Sequence, residues 1–398
     1  MTRSGRVWAV IAGGGTGGHV AAGLAIAEEI VSRCERTDAV HYVGSRRGLE
    51  TRIVPEAGFS LTALAGRGIA RKLTFRNVGA VAGLCAGTLE AIIRMARWRP
   101  AVVVGVGGFA SVPGVVAAIF WRVPLVVAEQ NAVPSAANRL GSRFAKAAAV
   151  PFPDVDLPRA VWTGNPVRSK VSRVDRPAQR DAACQRLEVD PSRKLLSVFG
   201  GSLGARRINE ALLGALGQWR DRGDLTIRHI TGERDYAELR DRAAEHRAAQ
   251  SGSTTTTSNE TPAADDGLVL QLVEFEYDMA SVYEASDLVL CRAGASTVAE
   301  LTIAGVPAIL VPLPGAPGDH QSANARVLAQ SDAARLVPDR ELDSERLRFE
   351  VDALLDDEPR LASMSAAARA QGRPDAAEAV VDLLERCAKR PLERPSEA

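Results

Sequence analysis

The 398-residue chain has no charge imbalance: 49 lysines and arginines stand against 48 aspartates and glutamates, a formal net charge of +1. That balance excludes a strongly basic nucleic-acid binder and an acidic-tail protein, and leaves any basic surface local. Paired cysteines are also lacking. Cys34, Cys85, Cys184, Cys291 and Cys387 are odd in number, scattered, and form no C-x-x-C. Neither a disulfide framework nor a zinc cage is indicated, and a reducing, cytoplasmic compartment fits. Residues 1–6 run into a short apolar stretch and then glycines, too short for a signal-peptide core with its cleavage site. An unbroken hydrophobic span is missing too. Residues 101–121 carry no charge, but Gly105, Gly107, Gly108, Ser111, Pro113 and Gly114 punctuate them. A buried strand–loop–helix unit is expected there rather than a membrane span.

What is present is alternation. Short apolar runs at 6–12, 40–43, 102–104 and 125–128 read as buried strands, and Leu24, Ile26, Ile30 and Val31 give a helical face between the first two. The signal repeats at 195–199, 226–231, 269–272, 288–290 and 308–311. Strands alternating with helices predict parallel sheets covered on both faces, here twice, and the length suits two domains. Their boundary is expected within 151–191, rich in proline, arginine and aspartate. Residues 250–266 have little to bury and read as a surface insertion. A last helical pattern near 376–389 precedes a charged tail expected to fray.

Glycine-rich turns follow several of these strands. Residues 13–19 read G-G-G-T-G-G-H, with Gly13, Gly15 and Gly18 in G-x-G-x-x-G spacing. Such a turn lets backbone approach an anion at a helix start. The acidic residue a dinucleotide fold expects after the second strand is replaced by H-Y-V-G-S-R-R at 41–47. Arg46 and Arg47 keep an NADP reading open. A second turn, G-G-S-L-G-A at 200–205, occupies the same place in the second half. Two such turns predict paired Rossmann-like domains with a ligand in the cleft between them. Residues 291–300, C-R-A-G-A-S-T-V-A-E, put Gly294, Ala295 and Ser296 at a helix start and Glu300 further along it, a carboxylate suited to a ribose diol. G-V-G-G-F-A-S-V-P-G at 105–114, E-Q-N at 129–131, G-N-P-V-R at 164–168 and D-H-Q-S-A-N-A at 319–325 complete the set.

In these ordered motifs the chain resembles the MurG family of peripheral membrane glycosyltransferases, from about residue 6 to 381. The resemblance implies an α/β GT-B fold, two Rossmann-like domains with parallel sheets facing across an interdomain cleft. It implies an acceptor-binding domain at 1–165 with a membrane-facing patch and a UDP-sugar domain at 166–370. Residues 371–398 would carry a helix back to the N-terminal domain, followed by a tail. The implied reaction is inverting transfer of N-acetylglucosamine from UDP-N-acetylglucosamine to the 4-hydroxyl of the lipid I muramoyl sugar. It forms lipid II for peptidoglycan, with the roles in cell shape and division that cell-wall synthesis carries.

Matched position by position, Thr16, Gly17, Gly18 and Asn131 fall near the transferred sugar, with His19 as candidate general base and Asn131 beside the chemistry. Arg168, Ser202, Ala295, Ser296, Thr297, Val298, Ala299, Glu300 and Gln321 match donor-binding positions, and Glu276 stands where a backbone group reads uracil. Gly107, Gly108, Phe109 and Glu129 fall on the acceptor side. Phe109 replaces a frequent tyrosine and Val112 a glycine, and 314–318 is longer than in some relatives.

The resemblance requires no obligatory metal or other cofactor; dipoles at helix starts and Arg168 would draw off the diphosphate. Its partners would be UDP-N-acetylglucosamine, lipid I, an anionic membrane surface and other cell-wall enzymes, with no nucleic acid. The implied location is peripheral, on the cytoplasmic face of the bacterial plasma membrane. Leu73, Phe75, Val78, Val81 and Leu84, near Arg67, Arg71, Lys72 and Arg76, with Trp98 and Trp121 in the same domain, are the expected lipid-facing set. A UDP-N-acetylglucosamine 2-epimerase of the same architecture, an NADP oxidoreductase and a nucleotide-sugar sensor remain as rival readings.

Overall fold

The computed structural model describes residues 6–66, 75–201, 204–251 and 267–395. The chain divides into two units, one of Met1–Ser172 with Arg373–Ala398 and one of Arg173–Gly372. The division falls later than residue 165. Arg168 is tied into the first unit by two hydrogen bonds from its guanidinium to Glu28, at 3.0 and 2.7 Å.

In the first unit, β1 (Ala9–Gly13), β2 (Val40–Ser45), β3 (Ser60–Leu64), β4 (Val102–Gly107), β5 (Leu125–Ala128), β6 (Ala147–Val150) and β7 (Ala160–Trp162) form one sheet. Its order is β3-β2-β1-β4-β5-β6-β7 and every pairing is parallel. Both faces are covered, so the central strands read as continuous apolar runs. Ile11 and Val104 pack with Leu24 and Ile30 of helix Gly17–Cys34 and Val380 of helix Ala376–Cys387. Val10 and Val103 pack on the other face with Met95 and Ala117. The chargeless 101–121 stretch is β4 followed by helix Val112–Phe120, buried along most of its length. The tail does not fray directly after the last helix. The Trp8 indole N–H donates to Arg390 O at 3.0 Å, the Arg390 guanidinium donates to Arg99 O at 2.9 Å, and Leu392 is buried.

In the second unit, β8 (Lys194–Phe199), β9 (Leu225–Ile230), β10 (Val269–Val273), β11 (Leu288–Cys291), β12 (Ala308–Leu310) and β13 (Ala334–Leu336) form a parallel sheet ordered β10-β9-β8-β11-β12-β13. Its core joins Leu196, Val198 and Leu290 to Ile208 and Leu212 of helix Arg206–Ala215. The insertion expected at 250–266 begins inside helix Tyr236–Ser251, and 252–266 lie outside the described residues.

Strand order reverses between β1 and β4 in one sheet and between β8 and β11 in the other. Crossovers leave such a point in opposite directions, opening a crevice at the strands' carboxyl ends. The turns at 13–19, 105–114, 200–205 and 291–300 follow these four strands. Topology therefore gathers the glycine motifs pairwise, two per unit.

Candidate active site

In the first unit the two glycine turns pack on each other. Gly107 and Gly108 have φ of 92° and 74°, a region that side chains rarely enter. A Cβ on Gly107 would lie 3.0 Å from His19 Nε2, and one on Gly108 would lie 2.5 Å from Gly14 O. The His19 ring is thus seated against bare backbone. Its Nδ1 is 2.8 Å from Thr16 Oγ1, across the first turn of helix Gly17–Cys34. Thr16 and Gly17 are exposed, while Gly18 and His19 are half-buried. The half-buried Phe109 ring lies against Gly15, and no hydroxyl stands there.

Two buried carboxylates hold these turns. Glu50 accepts from Gly15 N–H at 2.9 Å and Ser45 N–H at 2.7 Å. Glu129 accepts from the N–H groups of Gln130, Asn131 and Ser135, each at 3.0 Å. It also accepts from the side-chain amides of Asn131 at 3.2 Å and Asn138 at 2.8 Å. The carboxylate is spent on its own loop, where it orients the Asn131 amide. Asn138 connects this cluster to Gly107, where a Cβ would lie 3.1 Å from its Nδ2. Glu50 and Asn138 have no signature in the sequence, since neither belongs to a spaced motif.

In the second unit, helix Ala295–Ala304 starts from Gly294 in an extended conformation, with Ala295, Ser296 and Thr297 half-buried in its first turn. The N–H groups and partial positive charge of a helix start suit a phosphate. Val298 belongs to the scaffold: its side chain is buried and its N–H donates to Gly294 O at 2.9 Å. Ala299 follows on the same turn. Glu300 is half-buried, and desolvation raises its pKa to about 7 although the Tyr283 hydroxyl donates to Oε2 at 2.7 Å. Glu276 spends its side chain inside the protein. One oxygen accepts from the Arg228 guanidinium at 2.7 Å and the other from Asp278 N–H at 2.8 Å. Gln321 Oε1 accepts from Leu313 N–H at 2.9 Å and ties down the longer 314–318 segment. Ser202 lies outside the described residues.

The comparisons with known proteins bear directly on these motifs. The profile of the glycosyltransferase family 28 N-terminal domain matches residues 9–150, and that of the family 28 C-terminal domain matches 195–380. Two relatives carry the name UDP-N-acetylglucosamine–N-acetylmuramyl-(pentapeptide) pyrophosphoryl-undecaprenol N-acetylglucosamine transferase. The one from Desulforudis audaxviator is 38% identical, over 95% of this chain and 98% of its own. The one from Alkalilimnicola ehrlichii is 41% identical, over 93% and 96%. The chain belongs to the MurG family. A solved MurG from Acinetobacter baumannii has the same GT-B fold, with a TM-score of 0.71 at 30% identity over 95% of this chain and 99% of that one. A UDP-GlcNAc 2-epimerase from Neisseria meningitidis reaches a TM-score of 0.62 at 11% identity, over 95% and 99%, a likeness of fold alone. This MurG-family chain is a UDP-sugar-dependent glycosyltransferase.

Part of the expected lipid-facing set lies outside the described residues. Arg67, Arg71, Lys72 and Leu73 lie outside the described residues, and Phe75, Arg76 and Val78 start helix Phe75–Trp98. Trp98 stacks on His41 with ring centroids 4.2 Å apart, and Leu84 is half-buried. Among the described residues, Val81, Leu89 and Ile93 of this helix are exposed, as are Val116 and Phe120 of the neighbouring helix Val112–Phe120 and Trp121 just beyond it. The stretch Gly79–Trp98 is long and apolar enough to cross a membrane by length and composition, and most of it is not buried. One D-x-D spacing occurs at Asp154 and Asp156, exposed on the turn between β6 and β7. Among the described residues no three His, Cys, Asp or Glu side chains converge on one point.

Proposed function

We propose that this MurG-family enzyme transfers N-acetylglucosamine from UDP-N-acetylglucosamine to the 4-hydroxyl of the muramoyl-pentapeptide sugar of lipid I, making lipid II. Glu300 carries this reading: its carboxyl stands on helix Ala295–Ala304, whose start suits an anion, and a nucleoside diphosphate offers both an anion and a diol. The first-turn N–H groups from Ala295 to Thr297 take the diphosphate, Glu300 takes the ribose hydroxyls, and the backbone at Glu276 reads uracil. Ser202, Gln321 and Arg168 complete the donor contacts. Arg168 must then release Glu28, an exposed ion pair of the kind worth about 0–1 kcal/mol.

The first unit takes the acceptor between the turns at 13–19 and 105–114. The acceptor oxygen attacks the anomeric carbon, the bond from that carbon to the diphosphate oxygen breaks with its electron pair, and His19 takes the hydroxyl proton. In the tautomer whose Nδ1–H donates to Thr16 Oγ1, Nε2 is the basic nitrogen of His19. General-base assistance contributes roughly 10²–10⁴ in rate. No cofactor is needed, because helix starts supply the positive field at the leaving group. The exposed strip from Val81 to Trp121, flanked by Arg94 and Arg97, lies on anionic lipid at the cytoplasmic face of the plasma membrane. Leu89→Glu with Ile93→Glu should abolish binding to anionic vesicles while leaving turnover of a water-soluble acceptor intact.

The test is incubation of the full chain with labelled UDP-N-acetylglucosamine and a lipid I analogue, with and without a chelator. The expected result is a labelled disaccharide product and one UDP per transfer, unaffected by chelation. Conversion of the donor to its 2-epimer without acceptor use would overturn the reading in favour of an epimerase.

A further inference from the structure

Tyr283 and the half-buried Glu300 meet in the second unit, from different elements. Tyr283 sits in helix Met279–Ala285 and is fully buried; Glu300 sits in helix Ala295–Ala304. The phenol donates to Glu300 Oε2 at 2.7 Å, a short charge-assisted geometry. The Tyr283 ring is itself fixed, edge-on to Phe199 at the end of β8, with centroids 6.3 Å apart. A carboxylate that must accept from two ribose hydroxyls needs one rotamer, and a helix side chain with three torsions does not hold one unaided. Building on the proposed role of Glu300 at the ribose, we infer that Tyr283 is a positioning residue for donor recognition. Its hydroxyl occupies one lone pair of Glu300 Oε2, fixes the carboxylate plane, and leaves the remaining acceptor sites facing the diol.

The charge argument agrees. Burial raises the Tyr283 phenol and the Cys291 thiol, so both stay protonated through neutrality beside Glu300. These are the titratable groups that bear on that carboxyl from the helix packed against it and from the end of β11. The Tyr283 hydroxyl favours the ionised carboxylate against burial, which favours the acid. Its loss therefore withdraws the acceptor form from the pH range in which the enzyme works.

The experiment measures kcat and KM of the full chain and of Tyr283→Phe and Glu300→Gln, between pH 6 and 9. The donors are UDP-N-acetylglucosamine and its 2′-deoxyuridine counterpart, and melting curves establish that each variant is folded. Tyr283→Phe should raise KM for UDP-N-acetylglucosamine about tenfold or more, the range for a hydrogen bond to a charged group. Turnover should change little, the preference for the ribose donor should shrink, and the acid limb of the KM profile should move to higher pH. Phe199→Leu, which loosens the ring but keeps the hydroxyl, should move KM the same way by less. Wild-type KM, preference and pH profile in Tyr283→Phe, alongside lost preference in Glu300→Gln, would overturn the inference and leave the ribose reading standing. Undiminished preference in Glu300→Gln would overturn both.

Discussion

The wholly buried carboxylate of Glu50 accepts the N–H of Gly15, in the first glycine turn, at 2.9 Å. The same group accepts Ser45 N–H at 2.7 Å, so one acid from helix Glu50–Glu56 holds the turn after β1 against the end of β2. Glu50→Ala leaves both donors without a partner in a cavity. The expected loss of folding stability is about 2–4 kcal/mol, read as a lower urea midpoint. Glu50→Gln, which keeps an acceptor oxygen, should lose less.

Glycines within that turn should separate by consequence. At Gly14, φ is 147° and a Cβ would fall 2.3 Å from the Glu50 carboxyl; at Gly17 a Cβ meets nothing within 4 Å. Gly14→Ala is expected to destabilise the fold. Gly17→Ala should keep wild-type stability, within about 0.5 kcal/mol, yet lose activity if the backbone there lies against substrate. Melting temperatures and kcat measured on both variants check the contrast.

His19→Ala should lower kcat by roughly 10²–10⁴ with little change in donor KM. Thr16→Val removes the oxygen 2.8 Å from Nδ1 and should produce a smaller loss of kcat, since it frees the wrong tautomer rather than removing the base. Steady-state kinetics with both substrates saturating decides the order of the two effects.

Acid should weaken the fold through the buried His229 and the half-buried His41. Burial lowers His229 and His41 to about 4. Between pH 6.5 and 4 the unfolded chain binds protons that the folded chain refuses, so stability falls as pH is lowered through that window. Glu300, raised to about 7, acts in the opposite sense: its contribution is present at low pH and is lost as pH rises through 7. Urea midpoints at pH 7.5, 6 and 5 should decline overall, and His229→Gln should flatten the decline.

How much of this was legible follows from what each feature demands of its residues. Strands buried on both faces, such as β1, β4 and β8, must be apolar and stand out. The strands overlooked had little to show: β6 is A-A-A-V, β7 is exposed at every residue, β13 is three residues with Arg335 in the middle, and β3 is a sheet edge. The glycine turns were legible because tight backbone tolerates no substitute. Glu50, Asn138 and Tyr283 were not, because each acts on a partner from another element and leaves no spacing behind. Arg390 and Leu392 escaped notice for the same reason: a charged, proline-flanked tail looks frayed until Trp8 and Arg99 are found beneath it.

The most direct test of the account is a crystal structure of the full chain with UDP bound. The account predicts both ribose hydroxyls within about 3 Å of the Glu300 carboxylate, with the diphosphate over the first turn at Ala295 to Thr297. Uridine seated on the 13–19 turn of the first unit, with Glu300 untouched, would contradict it.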